Sequence, residues 1–100
     1  MHVNILIDYE KLAECCRKWR IAELALFGSV LRDDFRPDSD VDVLVTFGPG
    51  GGITFDTRVE MLEDLAAIFG RQVDLVEKGT IRNPFRRHSI LTTKEVLYAA

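Results

Sequence analysis

The chain has 100 residues, 47% of them hydrophobic, enough for one core but not for two; residues 1–100 are therefore expected to form a single domain. A formal net charge of −3 and a pI near 5.3 weigh against nucleic acid as the main partner, because binding it usually needs a positive surface that displaces counterions. No apolar run approaches the roughly 20 residues of a membrane-spanning helix. Met1-His2-Val3-Asn4 also lacks the basic segment and small-residue cleavage site of a secretory leader, so a cytoplasmic location with no membrane partner is expected.

Ile5, Tyr9, Leu12, Cys16 and Trp19 recur at helical spacing and predict a first helix that packs on a core. Cys15 and Cys16 are adjacent and have no Cys or His partner at metal-ligand spacing, so they are expected to be reduced thiols. With His2 and His88 they are read as structural or solvated. Leu24-Ala25-Leu26-Phe27 reads as a buried strand closed by a turn at Gly28. After a helical turn at Val30-Leu31-Arg32 and a polar loop containing Pro37, the run Ser39 to Val45 reads as a second strand, its valines at 41, 43 and 45 alternating with other residues. For Ser29 to lie near Asp40 and Asp42 these two strands must run antiparallel.

Gly48-Pro49-Gly50-Gly51-Gly52 is expected to be a mobile connection, a linker or lid; it lacks the terminal Gly-Lys-Ser/Thr of a phosphate loop. A second helix follows, with Thr54 as N-cap, Gly70 as stop, and a stripe of Phe55, Val59, Leu62, Ala66 and Phe69 that should cover one face of the sheet. Gln72 to Val76 forms a third strand. Asn83-Pro84 begins a short helix through Ile90-Leu91, and Val96-Leu97-Tyr98 suits either a terminal strand or a last helical turn. The fold class is α/β (α+β): a small mixed β-sheet packed with helices.

Chemistry concentrates in three carboxylates. Residues two apart on a strand share a face, which places Asp40 and Asp42 together, roughly 6–7 Å apart along the backbone. Two hard anionic ligands so placed suit Mg2+, which takes its other ligands from water and substrate phosphates. Asp74, inside an otherwise apolar strand, is disfavoured there unless paired, hydrogen-bonded or bound to a metal. The bland alternative is two solvated turn acids and one capped strand acid. Arg82, Arg86, Arg87 and His88 form a basic cluster that suits an acidic partner, nucleotide phosphates or a plain solvated helix face.

Gly28-Ser29, Asp40-x-Asp42 and the later Asp74, in that order, make the chain resemble the nucleotidyltransferase domain of the DNA polymerase β superfamily. Its size is similar to the minimal nucleotidyltransferases of prokaryotes, including antitoxins paired with HEPN-domain toxins. The pattern of that group is Gly-Ser-x-Ala-Arg-Gly, a spacer, then Ser-Asp-x-Asp-Leu; Gly28, Ser29, Arg32, Ser39, Asp40 and Asp42 match it. Leu31, Asp33 and Val43 depart from it, and Asp33 adds a negative charge beside the phosphate turn.

The resemblance implies a polymerase β-like fold and a catalytic, metal-binding set of Asp40, Asp42 and Asp74 holding two Mg2+ ions, with ATP as substrate. It further implies that Gly28, Ser29 and Arg32 bind the nucleotide; for Arg32 a salt bridge to Asp34 or Asp38 is the equal alternative. Transfer of AMP to a hydroxyl, a tyrosine's in the first instance, of a partner HEPN toxin is the leading function, and it makes the chain an antitoxin. With no residues left over for an acceptor-binding domain, a macromolecular acceptor is favoured. The alternatives are a catalytically silent antitoxin that neutralises by binding alone, and a transferase acting on RNA ends or a small molecule. Homo- or hetero-oligomer formation is left open by the sequence.

Overall fold

Residues 5–31, 36 and 39–100 are described by a computed structural model of the chain. In chain order the elements are α1 (Tyr9–Lys18), β1 (Ile21–Phe27), a 3-10 turn (Gly28–Leu31), β2 (Val41–Phe47), α2 (Phe55–Phe69), β3 (Val73–Glu77), a second 3-10 turn (Lys78–Thr80), α3 (Pro84–Thr93) and β4 (Glu95–Ala99). The four strands form one mixed sheet in the order β3-β2-β1-β4. β1 is antiparallel to both β2 and β4, as the expected proximity of Ser29 to Asp42 required, while β2 and β3 run parallel. The open question about Val96-Leu97-Tyr98 is thereby settled: it is a strand on the β1 edge. Among the described residues no helix is long and apolar enough to cross a membrane.

Strand alternation sorts the core onto two faces. Leu24 and Leu26 of β1, Val41, Val43 and Val45 of β2, and Leu75 of β3 face α1 and α2, where they meet Leu12, Cys15, Cys16, Met61, Leu65 and Phe69. Ala25, Phe27 and Leu44 face the other way, against Ile81, just after the second 3-10 turn, and Ile90 of α3, in a smaller cluster. The large cluster closes one side of the sheet. The small one leaves part of the other side open.

Local signals fix the helix ends. Asp8 is the N-cap of α1, its carboxylate accepting from the Lys11 backbone N–H at 3.2 Å, so the helix starts after Ile5 rather than at it. Thr54 and Thr57 form a reciprocal capping box at α2 (3.2 and 3.0 Å), and Gly70 ends that helix in the left-handed conformation, as expected from sequence. Asn83 caps α3 ahead of Pro84 through Phe85 and Arg86 N–H groups at 2.9 and 3.1 Å. Asp64 joins α2 to α1, accepting from Lys18 Nζ and Trp19 Nε1, both at 2.9 Å. These bonds, that from Lys18 foremost, hold the Asp64 carboxyl below its ordinary range.

One expectation is corrected in part. The buried residues of α2 are Met61, Leu65 and Phe69; of the expected stripe Phe69 is buried and Leu62 packs on the core, whereas Phe55 is 94% and Val59 59% exposed. Apolar residues occupy two adjoining faces of this helix, and the expected stripe is rotated by one residue from Met61 and Leu65, which meet the sheet. The glycine run begins in a turn: Gly48 N–H donates to Arg20 O at 2.9 Å and Gly51 N–H to Gly48 O at 3.0 Å. A Cβ on Gly51 would stand 2.7 Å from Arg20 O, so a side chain there requires the turn to open.

Met61→Ala is expected to cost about 2–5 kcal/mol in urea unfolding, whereas Phe55→Ala should stay within about 0.5 kcal/mol. Equal costs would contradict the assigned helix face. The thiols give a second test. Burial pushes Cys15 up to about 11 and Cys16 up to about 12, from 9.0. Above pH 9 the unfolded chain loses thiol protons that the folded chain keeps, so the stability these groups contribute is full below pH 9 and is lost as pH rises towards 11 and 12. A disulfide reagent at pH 8 should therefore label both thiols only after unfolding; native-state labelling at the unfolded rate would show the thiols to be accessible.

Candidate active site

The antiparallel register sets Phe27 opposite Asp42, so the turn that begins at Gly28 closes beside the second residue of β2. Gly28 has φ 75°, a conformation that other residues adopt only at a cost, and a Cβ built there would collide with Asp42 Oδ2. Backbone and carboxylate touch with no room between them. The parallel register then pairs Asp42 with Asp74 on the neighbouring strand. Asp42 lies between Val41 and Val43, and Asp74 between Val73 and Leu75, all on the large-core face; both aspartates therefore point to the α3 side, as do Leu44 and Val76.

Of the sequence-predicted residues, Gly28, Asp42 and Asp74 are thus brought together by strand register. Asp40 is exposed and stands one residue ahead of β2, where Val41 N–H donates to Gln72 O at 2.9 Å and ties this end of the strand to β3. Ser29 is in the 3-10 turn directly after Gly28. Arg32, with Asp33, Asp34 and Asp38, lies outside the described residues. The reasoning that singled out Asp74 is corrected: its side chain is exposed, because β3 is an edge strand and the small cluster on its α3 side reaches Val76 but not Asp74. It needs no partner to offset burial. What recommends Asp74 is its register beside Asp42.

The donor set fits a hard divalent cation in chemistry, since carboxylate oxygens are the ligands Mg2+ takes and one or two suffice when phosphates supply the rest. It does not form a closed cage: among the described residues no three acidic, His or Cys side chains converge as a metal-holding group. Half-buried Asp42 and exposed Asp40 and Asp74 leave room for a substrate to complete the coordination.

Of the basic cluster, Arg87 lies elsewhere: it donates to Lys78 O at 3.2 Å and sits with Glu77 by Val45, Thr46 and Phe47, at the end of β2 away from Asp42. Sequence reasoning also missed a cavity of about 460 Å³ on the other side of Gly28, where the C-terminal half of α3 contributes Ser89, Ile90 and Thr93 and the start of β4 contributes Glu95. Its one sequence signal is a pair of hydroxyl residues four apart, on one face of a helix.

A mixed sheet carrying acidic residues at the start of β2 and β3, against a glycine turn that ends β1, is the framework of a nucleotide-transferring domain. Residues 9–97 match the Nucleotidyltransferase domain family, and the chain belongs to it. The protein adenylyltransferase MntA of Thermococcus cleftensis is 32% identical over 95 residues, covering 95% of this chain and 89% of its own length. Two solved structures share the fold. One is a toxin–antitoxin complex with AMP-PNP (TM-score 0.71, 21% identity, covering 94% of this chain and 75% of that one). The other is a tri-AMPylated HEPN toxin of Shewanella oneidensis with its MNT antitoxin (TM-score 0.63, 21% identity, covering 92% and 70%).

Gly28→Ala should destabilise the chain through both the collision with Asp42 and the positive φ. Placed on Asp42→Ala, which removes the colliding carboxylate, the same change should cost only the backbone component, about 1–2 kcal/mol. A double-mutant cycle by urea unfolding that finds equal costs in both backgrounds would disprove the close approach.

Proposed function

We propose that this chain is a Mg2+- and ATP-dependent protein adenylyltransferase that transfers AMP to a hydroxyl, in the first instance a tyrosine's, of a HEPN toxin, acting in the cytoplasm as the antitoxin of the pair. The observation that carries this is the register that stacks Asp42 beside Asp74 with the Gly28 backbone against Asp42. The named activity of the Thermococcus relative and the AMPylated toxin in the Shewanella complex support the acceptor class, and the AMP-PNP complex supports ATP as donor.

Asp40 and Asp42 would hold Mg2+, with Asp74 available to a second ion; when bound, the metal supplies charge neutralisation of the phosphates during transfer. Gly28 lets the main chain approach the phosphates without a Cβ in the way, and Ser29 follows it with a backbone N–H. Arg32 is assigned to the phosphates on sequence grounds. Asp74, on the edge strand and exposed, is open to a large acceptor and takes the proton of the incoming hydroxyl. The hydroxyl oxygen bonds to the α-phosphorus, the bond to the bridging oxygen breaks, and pyrophosphate leaves.

The test is the intact mass of the protein encoded beside this gene after incubation with this chain, ATP and Mg2+. A gain of one or more AMP units is expected, with loss of at least about 10³-fold in rate for Asp42→Ala, the scale of several kcal/mol of transition-state stabilisation. A stable complex without any mass gain would replace transfer by neutralisation through binding alone.

A further inference from the structure

Asp42 is aimed by strand pairing, but Asp40 precedes β2 and has no strand register of its own. Its order comes from the segment between α2 and β3. Gly70 ends α2 in the left-handed conformation, and the two residues after it both bond to the chain around Asp40. Arg71 Nη1 donates to Arg36 O at 3.2 Å, and Gln72 O accepts from Val41 N–H at 2.9 Å. Asp40 thus has one tie on each side. Arg36 is in turn joined to Ser39 by two bonds, Ser39 N–H to Arg36 O at 3.0 Å and Arg36 N–H to Ser39 Oγ at 3.2 Å. The Arg36 carbonyl therefore accepts twice, from Ser39 and from Arg71, which fills both of its lone pairs. The second of these bonds is charge-assisted and comes from a half-buried side chain, which makes it the stronger kind.

Resting on the metal-dependent adenylyltransferase reading, we propose that Arg71 is a positioning residue for the candidate metal site. It acts through the Arg36–Ser39 pair to hold Asp40 where its carboxylate can share a divalent cation with Asp42. Without this bond the pair loses an anchor to the α2–β3 junction, and a binding cation has to fix that stretch of chain itself, at a cost in backbone entropy. Charge alone predicts the reverse. A guanidinium repels a cation, so a role of Arg71 through its charge would make its removal tighten metal binding. The direction of the change separates the two.

Titration with Mn2+, followed by paramagnetic broadening of backbone amide signals, tests this without nucleotide, acceptor or turnover. In the wild type the Gly28, Asp40 and Asp42 amides should broaden with one apparent Kd. Arg71→Gln should weaken that Kd about tenfold, the lower end of what lost support around metal ligands costs. Arg71→Lys, which can still donate a charged hydrogen bond to Arg36 O, should fall between the two. Asp40→Ala should weaken binding as well, and in that background Arg71→Gln should have no further effect, because the residue it positions is gone. Lys18→Met, which cuts the remote bond to Asp64, should lower stability to urea and leave Mn2+ affinity unchanged. Equal or tighter Mn2+ binding by Arg71→Gln, or the same loss with and without the Asp40 carboxylate, would overturn the positioning role while the metal site stands. An equal weakening by Lys18→Met would reduce the role of Arg71 to general stability and overturn it too. Absence of broadening at Asp40 and Asp42 in the wild type would overturn the metal reading and this role with it.

Discussion

Everything at the candidate site depends on the antiparallel pairing of β1 with β2. Because Phe27 is opposite Asp42, the chain leaves β1 at the point where β2 presents its first strand carboxylate, and the turn has to pass within contact of that side chain. Only a residue without a Cβ accommodates both the approach and the positive φ. A slip of one residue would send Asp42 into the large core and one of its flanking valines towards α3, so the apolar alternation that builds the core also aims the carboxylate. Stability and site geometry are set by one register.

The two faces of the sheet divide the work. α1 and α2 cover one face with a close-packed set of aliphatic side chains, and their relative position is held at the far end by Asp64, which binds Lys18 and Trp19 together. On the opposite face α3 covers only the Leu44–Ile90 side, leaving Asp42, Asp74 and the cavity accessible. The exposed side therefore carries negative charge from several sources: the aspartates, Glu95 and the end of α3. Such a surface is matched to cations and to hydrogen-bond donors, and an incoming polyanion needs its charge masked before it can settle there.

The parts of this arrangement that were legible in the sequence are those written in local chemistry. Thr54, Gly70 and Asn83-Pro84 announced helix ends because capping uses only neighbouring residues, and the alternating valines of β2 announced a strand with Asp42 on its opposite side. The antiparallel pairing of β1 and β2 followed from requiring Ser29 to meet Asp42. What escaped is tertiary. The apolar surface of α2 is wider than one stripe, so composition could not say that Met61 and Leu65 face inward and Phe55 outward. Asp74 was singled out because burial would be costly, and its exposure shows that edge position, invisible without the strand order, decides that cost. The cavity joins Gly28 to Ser89 and Thr93 across most of the chain, and hydroxyl residues near a helix end carry no signature of their own.

Asp42 and Asp74 stand on parallel strands, and parallel neighbours cannot be joined by a tight turn; the whole of α2 has to cross the sheet between them. The β1–β2 pairing closes a shorter span of chain and by itself brings Gly28 to Asp42. Placing Asp74 beside them closes a longer loop, whose entropy the docking of the Met61–Leu65–Phe69 face of α2 offsets. The half of the site next to Gly28 thus rests on a local pairing, and the residue assigned to the acceptor proton rests on the core.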